Sequence, residues 1–186
     1  YGHRGIESDL EVQRLMLRAL QLAGVHQVSV DLGHVAVFRA LLRRARVSKA
    51  LEADLFQAMQ TKDAPAIATL ARGLDRSTRS ALTALPELYG GAEVLARARR
   101  VLPALPEIRA ALRDLSVLSK QLVDLVQIRS FDLGELRGYH YHSGVVFAAY
   151  ANGRPNAMAQ GGRYDEVGKA FGRARPATGF SMDLRE

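Results

Sequence analysis

Apolar and polar residues alternate from Val25 to Leu32. Val28 and Val30 fall on one face, with Gln27, Ser29 and Asp31 on the other, which is the period of a half-buried strand. Ahead of it, Ser8 and Glu11 have the spacing of a capping box, with Ser8 as N-cap. Leu10, Leu15, Leu17, Leu20 and Leu22 then supply the apolar face of a helix that Gly24 is placed to stop. Gly33 is expected to end the strand, and residues 34–46 to resume as helix. From there to about residue 120 the period is helical almost throughout, with Leu51, Leu55 and Met59 at i, i+4, i+8, and Leu102, Leu105, Ile108 and Leu112 continuing it. Pro65, Pro86, Gly90-Gly91, Pro103 and Pro106 cut this stretch into short helices.

Strand character returns at residues 123–131 and again at residues 144–151. Asn152-Gly153 is a hairpin signal, and residues 157–160 are the expected return strand. A short helix over 165–171 and a last strand over 177–184 complete the pattern. Helix, strand, many helices, then hairpin-linked strands make an α+β fold and exclude a purely parallel sheet. The expected organisation is a core of residues 1–33 and 121–186 interrupted by a helical insertion, residues 34–120.

The 186-residue length suits one domain with a substantial core. No apolar run has transmembrane length. The chain starts at Tyr1 rather than Met, and its opening residues read as the end of a strand, so a piece of a longer polypeptide is expected. The absence of cysteine excludes disulfides and thiolate metal sites and fits a cytoplasmic protein. The net charge of +7 is compatible with nucleic acid or phosphorylated ligands. Arg39, Arg43, Arg44 and Arg46 would carry such binding, or else form a solvated face or a protein contact. Lysine is scarce, so the charge also fits a general preference for arginine.

The chemistry concentrates in residues 136–147 and 161–165. Arg137 and Arg163 offer planar donor forks for a carboxylate or phosphate. Arg137 has a plainer use, as a surface partner of Glu135 or Asp132. His140 and His142 would share a face if they lay on a strand, but two histidines fall short of the ligand count a zinc site needs. Gly161-Gly162 lacks the ending of a phosphate-binding P-loop and reads as a bulge where backbone lines a cavity. Tyr164 and Asp165 would stand at its rim, unless Arg163 and Asp165 simply pair. Nucleophile-elbow and zinc-protease helix motifs are absent, and no pair of acids stands out for glycosidase-like work.

Together these segments resemble the class II histidyl-tRNA synthetase catalytic domain. Arg137-Gly-Tyr-His-Tyr-His-Ser-Gly-Val-Val-Phe-Ala148 is similar to that family's Arg-Gly-Leu-Asp-Tyr-Tyr-Thr-Gly-x-Val-Phe-Glu motif. Residues 161–165 repeat its Gly-Gly-Arg-Tyr-Asp unchanged, and residues 179–186 resemble its third motif. The departures are His140 for an aspartate, His142 for the second tyrosine, Ala148 for the closing glutamate and, next to Arg185, Glu186 for an ATP-clamping arginine. An acid at that position repels a triphosphate. The resemblance thus implies amino-acid recognition retained in part and adenylation lost, a profile that resembles the synthetase-like regulatory subunits of short-form ATP phosphoribosyltransferase. Residues 31–39 and 136–142 are closer to that group.

That resemblance implies a class II synthetase-like antiparallel sheet flanked by helices and a non-catalytic chain without cofactor or metal. It implies a catalytic-subunit partner, L-histidine as feedback effector of the first step of histidine biosynthesis, and a homodimer within a hetero-octamer. It also implies a histidine-binding set of Arg137, Gly138, Tyr141, His142, Gly161, Gly162, Arg163 and Tyr164. Arg137 would meet the carboxylate, and Tyr141, His142 and Tyr164 the imidazole and amine. The alternative is a catalytic fragment of a histidyl-tRNA synthetase, which activates histidine with ATP.

Overall fold

The computed structural model describes residues 1–126 and 128–183. A six-stranded mixed sheet has the order β2-β3-β1-β4-β5-β6. Its strands are β1 (Val28–His34), β2 (Tyr89–Gly90), β3 (Ile128–Asp132), β4 (Val145–Ala151), β5 (Ala157–Arg163) and β6 (Thr178–Met182). β1 and β3 run parallel, and the other neighbours are antiparallel, so the expected antiparallel sheet has one parallel pairing in it. The α+β class stands.

Helix α1 (Ile6–Leu22) precedes the sheet. Between β1 and β3 come α2 (Ala36–Ala45), α3 (Lys49–Gln60), α4 (Ala64–Leu70), α5 (Arg76–Ala84), α6 (Glu93–Val101) and α7 (Pro106–Gln121). Three of these helices start on side-chain caps. Ser48 accepts from Leu51 N, Asp63 from Ala66 N and Asp75 from Thr78 N. Pro106 opens α7, where its missing N–H costs nothing. These helices and the sheet share one apolar cluster that includes Phe38, Leu55, Met59, Leu112, Leu115, Phe131 and Phe147. The edge strand β2 falls inside the stretch expected to be helical.

Several local expectations are corrected. Ser8 is not the N-cap: α1 begins at Ile6 behind Gly5. The Ser8 hydroxyl donates to Gly5 O at 2.9 Å and accepts from Arg163 at 2.9 Å. Leu15 and Leu22 face solvent, and Met16, Leu17 and Leu20 are the buried leucine-type positions of the helix. Gly33 does not end β1. A Cβ there would stand 2.9 Å from Asp132 O and 3.0 Å from Val146 Cγ2, so glycine serves close packing and the strand runs on to His34. Residues 122–126 continue from α7 in helical-type turns, with Val126 N donating to Leu122 O, so β3 starts later than expected. The stretch 165–171 is a 3-10 turn over Val167–Phe171. Leu184 and the contrast at Arg185 and Glu186 fall outside the described residues.

A buried polar cluster joins the start of α1 to β5. Arg163 donates to Asp9 Oδ2 through Nε at 3.0 Å and Nη2 at 2.5 Å. It also donates to Gly5 O at 2.9 Å, His3 O at 3.4 Å and Asp165 Oδ1 at 3.3 Å. Burial pushes the Asp9 carboxyl up, against the pull of this guanidinium. Beside the cluster, His34 is buried, and its Nδ1 accepts from Ala36 N at 3.3 Å. Burial, then the positive charges of Arg163 and Arg39, push His34 down to about 4.

Replacing Arg163 with methionine strands Asp9 without its partner, and the expected cost is about 3–5 kcal/mol in urea unfolding. Substituting Asp9→Leu in the same chain should recover part of that loss, because the stranded charge is gone. The His34 shift sets a pH dependence. The folded ring stays neutral below the unfolded value of 6.5, so stability is intact above that pH and falls as pH drops from 6.5 toward 4. The full loss is about 3 kcal/mol. In His34→Asn, which keeps an acceptor for Ala36 N, urea midpoints at neutral pH and pH 5 should lie closer together than in the wild type.

Candidate functional site

One face of the sheet carries a row of polar side chains. Ser130, Asp31, Ala148, Gln160 and Ser181 stand abreast on β3, β1, β4, β5 and β6. All but Ser130 line a cavity of about 350 Å³. The wall above the row is the segment between β3 and β4, residues 133–144.

That segment is a chain of turns and not a strand edge. Tyr139 N donates to Leu136 O, and Tyr141 N and His142 N both donate to Gly138 O. Gly138 has φ +63°, and a Cβ there would press on the His142 ring. His140 and His142 therefore do not share a strand face. His140 stacks on Phe56 and Tyr139, whereas His142 covers Gly162. Among the described residues no three histidine, aspartate or glutamate side chains gather as a metal site.

Arg39 of α2 pins this turn. Its Nη2 donates to Tyr139 O at 2.8 Å and to His142 O at 3.1 Å, and its guanidinium lies 4.8 Å from the Tyr139 ring centre. The Tyr139 hydroxyl donates to Glu52 of α3 at 2.7 Å. In the turn just after α3, Lys62 donates to Asp132 at 2.7 Å. Arg43 pairs with Glu107 and Arg44 with Asp75. Of the four arginines singled out for nucleic acid, Arg39, Arg43 and Arg44 thus have partners within the fold.

Of the expected histidine-binding set, Arg137, Gly138, Tyr141, His142, Gly161 and Tyr164 line the cavity. Gly162 and Arg163 do not. Gly162 lies under His142, where a Cβ would sit 2.9 Å from His142 Nδ1, and Arg163 is committed to Asp9. The glycine pair is no bulge. Gly161 pairs with Phe147 and Phe180 in register, and a Cβ on it would strike Gly179 O. The irregularity lies at Ala149/Tyr150.

Arg137 donates through Nη1 to Gln160 at 3.0 Å and pairs with Glu135 at 3.4 Å, while its side chain stays 45% exposed. Asp132 is the partner of Lys62 instead. Tyr141 and Tyr164 stack with centroids 5.0 Å apart. Burial and a hydrogen bond with Tyr1 push Tyr164 up to about 12, so its hydroxyl keeps its proton. Burial pushes His142 down, and its Nδ1 lies 3.3 Å from Arg163 O. A neutral ring there donates from Nδ1 and leaves Nε2 an acceptor. Asp31, Gln160 and Ser181 escaped the sequence-based set. The alternation of Asp31 with Val30 was the available signal for the first; nothing local marks the other two. The cavity thus brings an arginine, carboxylates and a pair of packed phenol rings together.

The histidyl-tRNA synthetase family model matches residues 1–186. The chain belongs to that family. It is 60% identical over 190 residues to the ATP phosphoribosyltransferase regulatory subunit of Nitrosospira multiformis, covering 100% of this chain and 48% of that protein. It is 58% identical to the protein of the same description in Thiobacillus denitrificans, covering 100% of this chain and 57% of the relative. The chain spans about half the length of such curated relatives. An ATP phosphoribosyltransferase regulatory subunit/histidyl-tRNA synthetase from Bacillus halodurans C superimposes with TM-score 0.85 at 30% identity, covering 99% of this chain and 49% of that one. The ATP phosphoribosyl transferase (HisG:HisZ) complex from Thermotoga maritima shares the fold, with TM-score 0.71 at 19% identity over 98% of this chain and 63% of its counterpart. The fold is thus the class II synthetase-like one.

Replacing Arg39 with methionine leaves Tyr139 O and His142 O without their charged donor. The expected cost is about 2–3 kcal/mol in urea unfolding, with faster amide hydrogen exchange concentrated in residues 139–143.

Proposed function

We propose that this chain is the synthetase-like part of a regulatory subunit of short-form ATP phosphoribosyltransferase. In this reading it catalyses nothing itself. It acts in the cytoplasm, activates a catalytic subunit and senses L-histidine for feedback inhibition of the first step of histidine biosynthesis. It does so as a homodimer within a hetero-octamer. The observation that carries the reading is the 60% identity to a regulatory subunit along the whole chain.

The cavity supports it. Arg137 stands where a ligand carboxylate gains a charge-assisted contact. The Tyr141–Tyr164 stack and neutral His142 offer flat and hydrogen-bonding surface for an imidazole. Ala148 puts a methyl where the synthetase motif has a glutamate. A bound effector need bias a two-state partner interface by only about 1–3 kcal/mol to regulate it. The contacts from Tyr139 to Glu52 and from Asp132 to Lys62 provide a physical route from the cavity surroundings to α3 and the turn after it.

A thermal-shift titration of the full-length protein with L-histidine tests this. At a hundred times the dissociation constant, stabilisation of about 2.7 kcal/mol is expected. Arg137→Ala should remove most of it. An equal shift in that variant contradicts the assigned carboxylate contact, and histidine-dependent ATP–pyrophosphate exchange by the full-length protein contradicts the non-catalytic role.

A further inference from the structure

Charge within the cavity is unbalanced. Asp31, Asp132 and Glu135 line it, and among the described residues only two cations meet these three carboxylates. Lys62 pairs with Asp132 and Arg137 with Glu135. Among the described residues, Asp31 receives only the neutral hydroxyl of Ser130 as a hydrogen-bond donor, though it lies within electrostatic reach of Arg137. One formal negative charge is left over, and it is carried on β1.

The position of that charge is informative. Asp31 is the direct register partner of Ala148, with Gln160 next in the row. Ala148 is the place where the synthetase motif quoted above has a glutamate. A carboxylate absent from β4 is therefore present one strand away, on the same face and at the same level. The methyl of Ala148 leaves Asp31 open toward the cavity on that side. A carboxylate facing a cavity attracts a ligand's cationic nitrogen and repels a phosphate.

Resting on the histidine-sensing reading of the same cavity, we infer that Asp31 is the specificity-determining carboxylate, receiving a ligand's ammonium nitrogen and turning away anionic ligands. The carboxylate of the ligand goes to Arg137 and the cationic nitrogen to Asp31. The two ends of a zwitterion are thereby sorted across the row.

The test uses the full-length protein and isothermal titration with L-histidine, histamine and imidazolepropionate. Histamine keeps the amine and lacks the carboxylate; imidazolepropionate has the reverse. Asp31→Asn preserves shape and the Ser130 contact, so its melting temperature should stay near that of the wild type. Its affinity for L-histidine and histamine should fall at least tenfold, with imidazolepropionate unaffected or improved. Adding Ala148→Glu to Asp31→Asn returns a carboxylate to the row from β4 and should recover most of the lost affinity, which a merely structural role for Asp31 does not predict. If wild type and Asp31→Asn bind L-histidine equally, the inference falls while the sensing role stands. If the wild type ignores L-histidine yet binds histamine through Asp31, the sensing role falls and the inference stands. Failure of the wild type to bind any of the three overturns both.

Discussion

The ion pair between Arg163 and Asp9 is the constraint on which the rest is arranged. Both side chains are more than nine-tenths buried, and breaking such a pair costs more than making it gains. One guanidinium therefore fixes several things together. It holds the first turn of α1 through Asp9 and Ser8, and it holds the chain before that helix through His3 O and Gly5 O. Its own backbone is the end of β5: Arg163 O accepts from Ser143 N and meets His142 Nδ1. The helix-covered face of the sheet and the turn roofing the cavity are thus anchored at a single residue. The arginine that looked like a ligand clamp is instead what makes a ligand site possible beside it.

The cavity is then assembled from two kinds of structure. Its floor is a register row on four strands, which fixes the spacing of Asp31, Ala148, Gln160 and Ser181 through backbone hydrogen bonds. Its wall is a turn with no regular repeat, and a turn of that kind needs outside support. Arg39 supplies it from α2 by neutralising two carbonyls, and α3 supplies it through Glu52 and Phe56. In the turn just after α3, Lys62, held at φ +52° and lying 5.1 Å from the Tyr89 ring centre, pairs with Asp132 at the end of β3. α3 and the turn after it are thus tied to the 133–144 segment and to the end of β3. In the proposed role, these are the elements through which occupancy is communicated.

Legibility in the sequence followed the range of the interaction involved. The alternation around Val30, the helical period through Leu55 and Met59, and the hairpin at Asn152-Gly153 are local signals, and β1, α3 and the β4–β5 hairpin occur where those signals put them. The helix start at Ser8 was misread because a residue more than 150 positions away recruits that hydroxyl. The strand expected from Val123 was misread because α7 keeps turning past its last regular residue. At the site, Arg137, Tyr141 and Tyr164 were legible as a cluster. Arg163 was not legible as structural, since a planar fork suits a buried aspartate as well as it suits a ligand. Gln160 and Ser181 were invisible, because only strand register brings them level with Asp31.

A shared fold leaves activity undecided, and the charge of the site is what divides the possible outcomes. The chain as a whole carries +7, which at long range favours anionic partners. Among the described residues the cavity runs opposite to that field, with three carboxylates against two cations. Screening confines surface charge to about 8–10 Å, so the arginines on the outer helices do little for a ligand already inside. The local balance therefore governs what is held there. A nucleotide triphosphate needs cationic donors converging on its phosphates, and Arg137 already has Glu135 and Gln160 within reach. A small zwitterion makes a smaller demand, because its two ends match the two signs already present. On the proposed reading, this scaffold recognises an amino acid without activating it, and a sensor needs only the former.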